Sequence, residues 1–348
     1  MYKRQILFSA LATSVVGASG FASDTEWSEL DRELAAYNAA PIALDNHGPS
    51  VSGWLIASVV SDSDNDVLGT GVNAGRVNMH GDLGENYSFK LGFDFFDAAE
   101  LWNSVPYTAN GNAEAGQAGI TDAYVNVGFA EGVSLTIGGF RPTVTMSNSI
   151  DRNHTLFVGR SAIGTAYAGR DAGLGLNFGW DRINAQLTYM NGTDGLTDEA
   201  AYTLHADMDI LGSSSGYEGA YGAAEGTNLN VGVTLGEDGA TDDSDYFAIY
   251  ANLVMSGFSL SGEMLSNGEA IGDNSPYVAT AGYMFNEQYE AAIRYTDFDN
   301  ATSTTTMDLG LNYYIQGHDL KWQVNVSSLD DDVVDGGTVI AVGLAAGF

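Results

Sequence analysis

A chain of 348 residues is long enough for two average soluble domains or for one large closed sheet. Its 45 acidic residues against 12 Lys and Arg give a net charge of −33, which argues against a nucleic-acid partner. The lack of cysteine excludes disulfides, Cys-ligated zinc and iron–sulfur sites. After the first two dozen residues no apolar run reaches the ~18–20 residues of a membrane helix. What remains is a soluble fold or a membrane β-barrel.

In chain order, Lys3 and Arg4 precede an apolar run through Val16 and small residues at Gly20 and Ala22, the layout of a secretory signal. Residues 1–22 are read as that signal, which leaves ten basic residues in the rest of the chain. Ser23 to Asn38 reads as a short helix with Trp27, Leu30, Leu34 and Tyr37 at a/d spacing. Under two heptads do not hold together alone, so this is either a small coiled-coil collar of an oligomer or a helix lying on its own chain. A linker runs to Pro49, and the expected barrel occupies 50–348.

From there the chain is a succession of segments alternating with period two. They start near Gly53, Gly71, Asn86, Gly119, Gly132, Asp171, Arg182, Ala200, Gly226, Asp245, Gly257, Ser275, Gln288, Ser303, His318 and Gly336. Most run for the ~9–11 residues of a membrane-crossing strand, and bacterial single-chain barrels have even strand counts. Short connections at 84–85, 131–132, 180–181, 256–257, 286–287 and 316–317 alternate with long ones at 61–71, 97–119, 141–170, 191–200, 236–245, 266–275 and 328–337. Only the link near 212–225 is long where a short one is expected.

The fold class predicted is therefore all-β, a sixteen-stranded antiparallel transmembrane barrel. A soluble sandwich would not produce this two-sided rhythm. Tyr87, Phe89, Leu91, Phe93 and Phe95 alternate with Ser88, Lys90, Gly92 and Asp94; Tyr289, Ala291, Ile293 and Tyr295 with Glu290, Ala292, Arg294 and Thr296; Met307, Leu309, Leu311 and Tyr313 with Asp308, Gly310 and Asn312. In each, the charges lie opposite the aromatics. A charge at mid-membrane on the lipid side costs ~2–4 kcal/mol, so these charges point into a wet lumen. Sixteen strands close around a lumen wide enough for water. The setting expected is the cell outer membrane, with its lipid on one face and small polar solutes or ions inside.

Ile120-Thr-Asp-Ala-Tyr-Val125, Leu135-Thr-Ile-Gly-Gly-Phe-Arg-Pro142, Gly159-Arg-Ser161, Gly169-Arg-Asp-Ala-Gly173, Tyr189-Met-Asn-Gly192, Leu311-Asn-Tyr-Tyr-Ile315, Gly317-His-Asp-Leu-Lys321 and the terminal Phe348 resemble, in order and spacing, the phosphate-selective porin O and P family. The resemblance spans nearly the whole chain after the signal. It implies a homotrimeric sixteen-stranded porin with an inward-folded loop narrowing the pore, and a terminal Phe read by the barrel-assembly machinery. Members with phosphate selectivity carry many lumen-facing Arg and Lys, and here only ten basic residues follow the signal.

Twenty-one acids fall in the long loops, from Asp62 to Asp335, with no Lys or Arg among them outside 141–170. That connection holds Arg141, Arg152, Arg160 and Arg170, the candidate pore constriction. Arg76, Lys90, Arg182, Arg294 and Lys321 fall on faces assigned to the lumen. Rings of one charge sign are how pores select, so a weakly selective, cation-preferring diffusion channel is expected, with an anion-selective porin as the alternative. Arg152 and Arg160 have a second reading as pins holding the loop to wall carboxylates such as Asp122 or Asp171. Asp62-Ser-Asp64-Asn-Asp66 opens like a calcium loop but lacks its turn glycine and closing glutamate. His47, His80, His154, His205 and His318 show no metal spacing, and no nucleophile elbow is present. No cofactor and no enzymatic activity are expected. A plugged structural or adhesin barrel is the remaining alternative.

Overall fold

The computed structural model describes residues 49–63, 67–95, 119–167, 169–192, 195, 199–214, 216–222, 226–333 and 337–348. The expected signal, the helix over 23–38 and the linker up to residue 48 lie outside them. The described strands are β1 (Ser50–Asp62), β2 (Val67–Gly84), β3 (Tyr87–Asp94), β4 (Gly119–Ala130), β5 (Val133–Phe140), β6 (Asp171–Trp180), β7 (Ile183–Met190), β8 (Ala201–Leu211), β9 (Thr227–Asp238), β10 (Tyr246–Met255), β11 (Phe258–Asn267), β12 (Tyr277–Met284), β13 (Tyr289–Asp297), β14 (Thr305–Tyr314), β15 (Leu320–Asp330) and β16 (Thr338–Gly347). Each pairs antiparallel with its neighbours in sequence, and β1 closes on β16 from Trp54↔Gly347 to Asp62↔Val339. Closure leaves no row of unpaired backbone groups, the condition a sheet must meet in hydrocarbon.

The period of two decides which side chains face lipid. On β13 and β14, Ile293, Leu309 and Leu311 are exposed on the outer wall, while Glu290, Arg294, Asp308 and Asn312 are buried on the inner one. The same parity puts Ala345 and Gly343 of β16 inside. Trp180, Phe129, Phe285 and Phe348 stand exposed near the rim that carries the short turns and the C-terminus, where aromatic residues favour the membrane–water boundary. At the turn between β4 and β5, Gly132 adopts φ 73°, and a Cβ there would run into the Gly179 carbonyl of the next hairpin. Only glycine closes that turn without strain.

Two expectations need correction. The link at 61–71 is not a long loop: β1 runs on to Asp62 and β2 begins at Val67, because Asp62↔Val67 and Ser61↔Leu68 continue the ladder. The calcium-like run therefore starts inside a strand, and its residues 64–66 lie outside the described ones. Likewise β15 extends to Asp330, shortening the connection expected over 328–337.

Candidate functional site

The connection 141–170 leaves β5, enters the barrel and packs along the far inner wall. Val144 and Ile163 bury against Ala248, Leu265 and Val278 of β10, β11 and β12. Leu156 and Phe157 reach Ala292 of β13, and Val158 joins Trp54, Ile56 and Ala345 where β1 meets β16. Two short helices shape it. In α1 (Met146–Ser149), the Thr145 hydroxyl accepts from Asn148 N at 3.2 Å while Asn148 Oδ1 accepts from Thr145 N at 3.0 Å, a reciprocal cap. Ser161 caps α2 (Ala162–Ala166) by accepting from Gly164 N. The Asn148 carboxamide also donates to Pro142 O and Tyr167 O, each at 3.0 Å, tying the start of the loop to its end.

Three successive tip residues each lie on a wall glycine of an alternate strand. A Cβ on Gly282 would meet Leu156 at 3.4 Å, on Gly310 Phe157 at 2.9 Å, and on Gly343 Val158 at 2.8 Å. The missing side chains are the space the loop occupies. Side chains added at Gly310 and Gly343 must push the tip off the wall. We expect Gly310→Leu and Gly343→Leu to raise single-channel conductance. Gly71→Ala, with nothing within 4 Å, leaves it unchanged. Unaltered conductance in both leucine variants would show that the tip does not hold this seat.

Polar bonds complete the docking. Ser147 donates to both oxygens of Glu263 on β11, through N at 2.7 Å and Oγ at 2.6 Å. Asn325 Oδ1 accepts from Val158 N at 2.6 Å, Asn312 donates to Leu156 O at 2.9 Å, and Lys321 Nζ and Gln323 Nε2 donate to Thr155 O at 2.5 and 3.0 Å. Arg160 turns inward on its own loop and donates to the carbonyls of Ser147, Asn148 (2.9 Å) and Ile150 (2.7 Å). These are the carbonyls a four-residue helix leaves without internal donors.

From the opposite rim the connection after β8, long where a short one is expected, also turns into the lumen. Glu218 accepts from Leu156 N at 2.8 Å and donates its own N–H to His154 O at 3.2 Å; Ala220 N donates to Glu290 at 2.7 Å. There Tyr217 stacks on His318 at 4.5 Å and Tyr221 on Tyr314 at 3.9 Å, with His154 edge-on to His318 at 5.1 Å. Burial, then the nearby Lys321 ammonium (Nζ 3.5 Å from Nδ1) and His154, push His318 down to about 3. An undocked His318 titrates near 6.5, so between those values the undocked form takes a proton that the docked form refuses. Docking is thus at full strength above about pH 6.5 and weakens as pH falls toward 3. We expect more frequent open-state fluctuations at pH 4 than at pH 7.5 in planar bilayers, and a flatter profile in His318→Asn. Identical profiles in the two proteins would refute the assignment.

The basic residues separate into three groups. Lys90 and Arg170 share one carboxylate, Asp122, at 2.9 Å each. Arg141 stands beside them, with a 3.4 Å bond to Ser149 O. A second group is buried against the wall and the loop. Arg76 reaches Asp94 at 3.2 Å and Asp151 at 3.5 Å, Arg294 reaches Asp308 at 2.8 Å and lies 4.2 Å over Phe157, and Lys321 is fully buried. Arg152 lies among Arg160, Arg76 and Asp94, and burial with the Arg160 charge lowers it to about 10, still cationic at neutral pH. Arg182 occupies the turn just before β7, at the short-turn rim, where it is exposed and donates to Ile210 O at 3.2 Å.

Opposite the loop, a polar chain crosses the wall: Thr136 donates to Asn126 (3.2 Å), Asn177 to Thr136 (3.0 Å), Gln186 to Asn177 (2.9 Å), and Thr143 N of the loop to Gln186 (3.0 Å). Between this wall and the loop lies a cavity of about 260 Å³ lined by Lys90, Asp122, Arg141, Asp151, Arg170 and Gln186 among others. It shares Pro142 and Arg170 with an outer cavity of about 1070 Å³, and Thr143, Asn177 and Gln186 with an inner one of about 480 Å³. Wide, narrow and wide in series, these make an hourglass path. Arg141 and Arg170 line its waist together with Lys90; Arg152 and Arg160 do not line these cavities, and Arg160 bonds the loop's own carbonyls.

A family model described as phosphate-selective porin O and P matches residues 62–335. The chain belongs to this family. It is an outer-membrane porin. Among solved structures, a loop-deletion variant of OmpT, an outer membrane protein of Vibrio cholerae, is 11% identical with TM-score 0.58, covering 86% of this chain and 99% of that one. A triple mutant of the porin of Rhodopseudomonas blastica is 16% identical with TM-score 0.58, covering 86% and 100%. At such identities the likeness is one of fold. No curated protein matches the sequence. The barrel expected from the alternation is the fold these porins share, and within it the porin narrows its lumen from both rims.

Proposed function

We propose that this porin is a weakly selective, cation-preferring diffusion channel for small hydrophilic solutes and ions, and that it works as a homotrimer in outer-membrane lipid. The observation that carries the selectivity reading is the compensation of its lumen cations. Lys90 and Arg170 spend their charge on Asp122, Arg76 on Asp94 and Asp151, and Arg294 on Asp308. A tight anion site needs several donors free to converge on one ion. The acidic loops around the mouth concentrate cations within a Debye length of ~8 Å. The measurement is the reversal potential under a KCl gradient, expected on the cation side and modest.

A second reading, anion selectivity, has its own support, since the waist carries three cations against two carboxylates. Reversal near the anion potential, with current blocked by micromolar phosphate, would favour it. The trimer rests on family kinship, and native mass spectrometry of the detergent-extracted protein tests it.

A further inference from the structure

The outer cavity is not a plain aqueous funnel. Its wall includes the rings of Tyr167, Tyr246 and Phe298 and the side chain of Ile271, which is 39% exposed. Tyr167 and Tyr246 lie 5.0 Å apart at a tilt of 46°, and their hydroxyls are already engaged, by Asn267 Oδ1 at 2.8 Å and Thr203 Oγ1 at 2.7 Å. The bonds hold the rings in place, and one ring belongs to the loop while the other belongs to the wall. Asp171 and Asp238 also line the cavity, each accepting backbone N–H groups, from Gly192 at 2.6 Å and from Ala240 at 3.1 Å. The one cation in the lining, Arg170, bonds Asp122 below. The three loops above, 239–245, 268–276 and 298–304, carry Asp242, Asp243, Asp245, Glu269, Asp273 and Asp299 and no Lys or Arg.

We propose that this vestibule is a binding subsite for an organic cation with an apolar body, an aryl- or alkylammonium solute. Aromatic and aliphatic surface in a concave site gains by covering a solute's apolar part. A ring face attracts an ammonium within about 6 Å, and the surrounding carboxylates supply the sign. An anion meets the acidic loops first, and a neutral polyol gains nothing from them. The subsite rests on the cation-preferring reading and refines it: such solutes collect above the waist before passing Arg170.

The test is current block in planar bilayers, with phenethylammonium chloride added at the long-loop side. We expect saturable block with half-effect at roughly 1 mM, and ethanolammonium and the neutral 2-phenylethanol each at least about tenfold weaker. Ile271→Asn, at a surface-exposed position outside the strand ladder, and Tyr167→Leu, which keeps apolar bulk but removes the ring, should each weaken the phenethylammonium block several-fold. Equal block by ethanolammonium would reduce the site to its acidic field, and equal block by phenylethanol would reduce it to apolar surface. Block by glucose instead would make it a saccharide subsite. Any of these overturns the proposal. If the channel reverses on the anion side yet phenethylammonium still binds, the selectivity reading falls and the subsite stands. Cation-side reversal without this block sinks the subsite alone.

Discussion

Arg160→Ala opens the channel: single-channel conductance rises and the current becomes noisy, while the barrel keeps its heat-modifiable mobility on gels. The reason lies in what the guanidinium holds. Arg160 is buried and donates to the Ser147, Asn148 and Ile150 carbonyls, which gathers α1 beneath α2. Each buried carbonyl left without a donor costs about 1–3 kcal/mol, less whatever water restores. Three such losses rival the local stability of a loop built from helices of four and five residues. The sheet is untouched, since its ladder does not pass through this connection. Arg160→Lys, with one ammonium for three carbonyls, should fall between. If the alanine variant conducts like the wild type, the loop is held by its wall contacts alone, and the Glu263–Ser147 pair becomes the next candidate.

The barrel was legible because its signal is local. One residue in two is apolar along each strand, and every expected strand start lies within four residues of the observed one. The loop's seat was not legible, because its partners are remote in sequence: Ser147 meets Glu263, Val158 meets Asn325, and Leu156 meets both Glu218 and Asn312. A faint trace exists in Gly282, Gly310 and Gly343, which stand mid-strand at inward parity where neighbouring strands carry polar side chains. Arg182 keeps the parity of Asn184, Gln186 and Thr188, but it stands in the turn one residue before β7 and not on the strand. Arg160 bonds three carbonyls of its own loop, a partner set that a search for wall carboxylates does not suggest. Asp122 does take two cations, and they are Arg170 and Lys90.

That shared carboxylate makes Asp122→Asn the substitution with the largest expected effect on selectivity. Asp122 faces Arg170 and Lys90 at 2.9 Å each, and Lys90 keeps 31% of its side chain exposed in the waist. In Asp122→Asn the amide oxygen can still accept from Arg170 Nε, but the amide nitrogen donates and cannot accept from Lys90 Nζ, so the charge and the Lys90 contact are lost together. The waist then holds three cations against Asp151 alone. One unit charge about 6 Å from a passing ion in water is worth roughly 0.7 kcal/mol. That is about threefold for an anion and threefold the other way for a cation, so the permeability ratio moves by roughly tenfold. Reversal potentials under a KCl gradient should swing to the anion side, most strongly at low salt, where screening lengthens. Lys90→Gln removes the exposed partner and should move the ratio the opposite way. If the two substitutions shift the reversal potential in the same direction, or neither shifts it, selectivity is set at the acidic mouth and not at the waist.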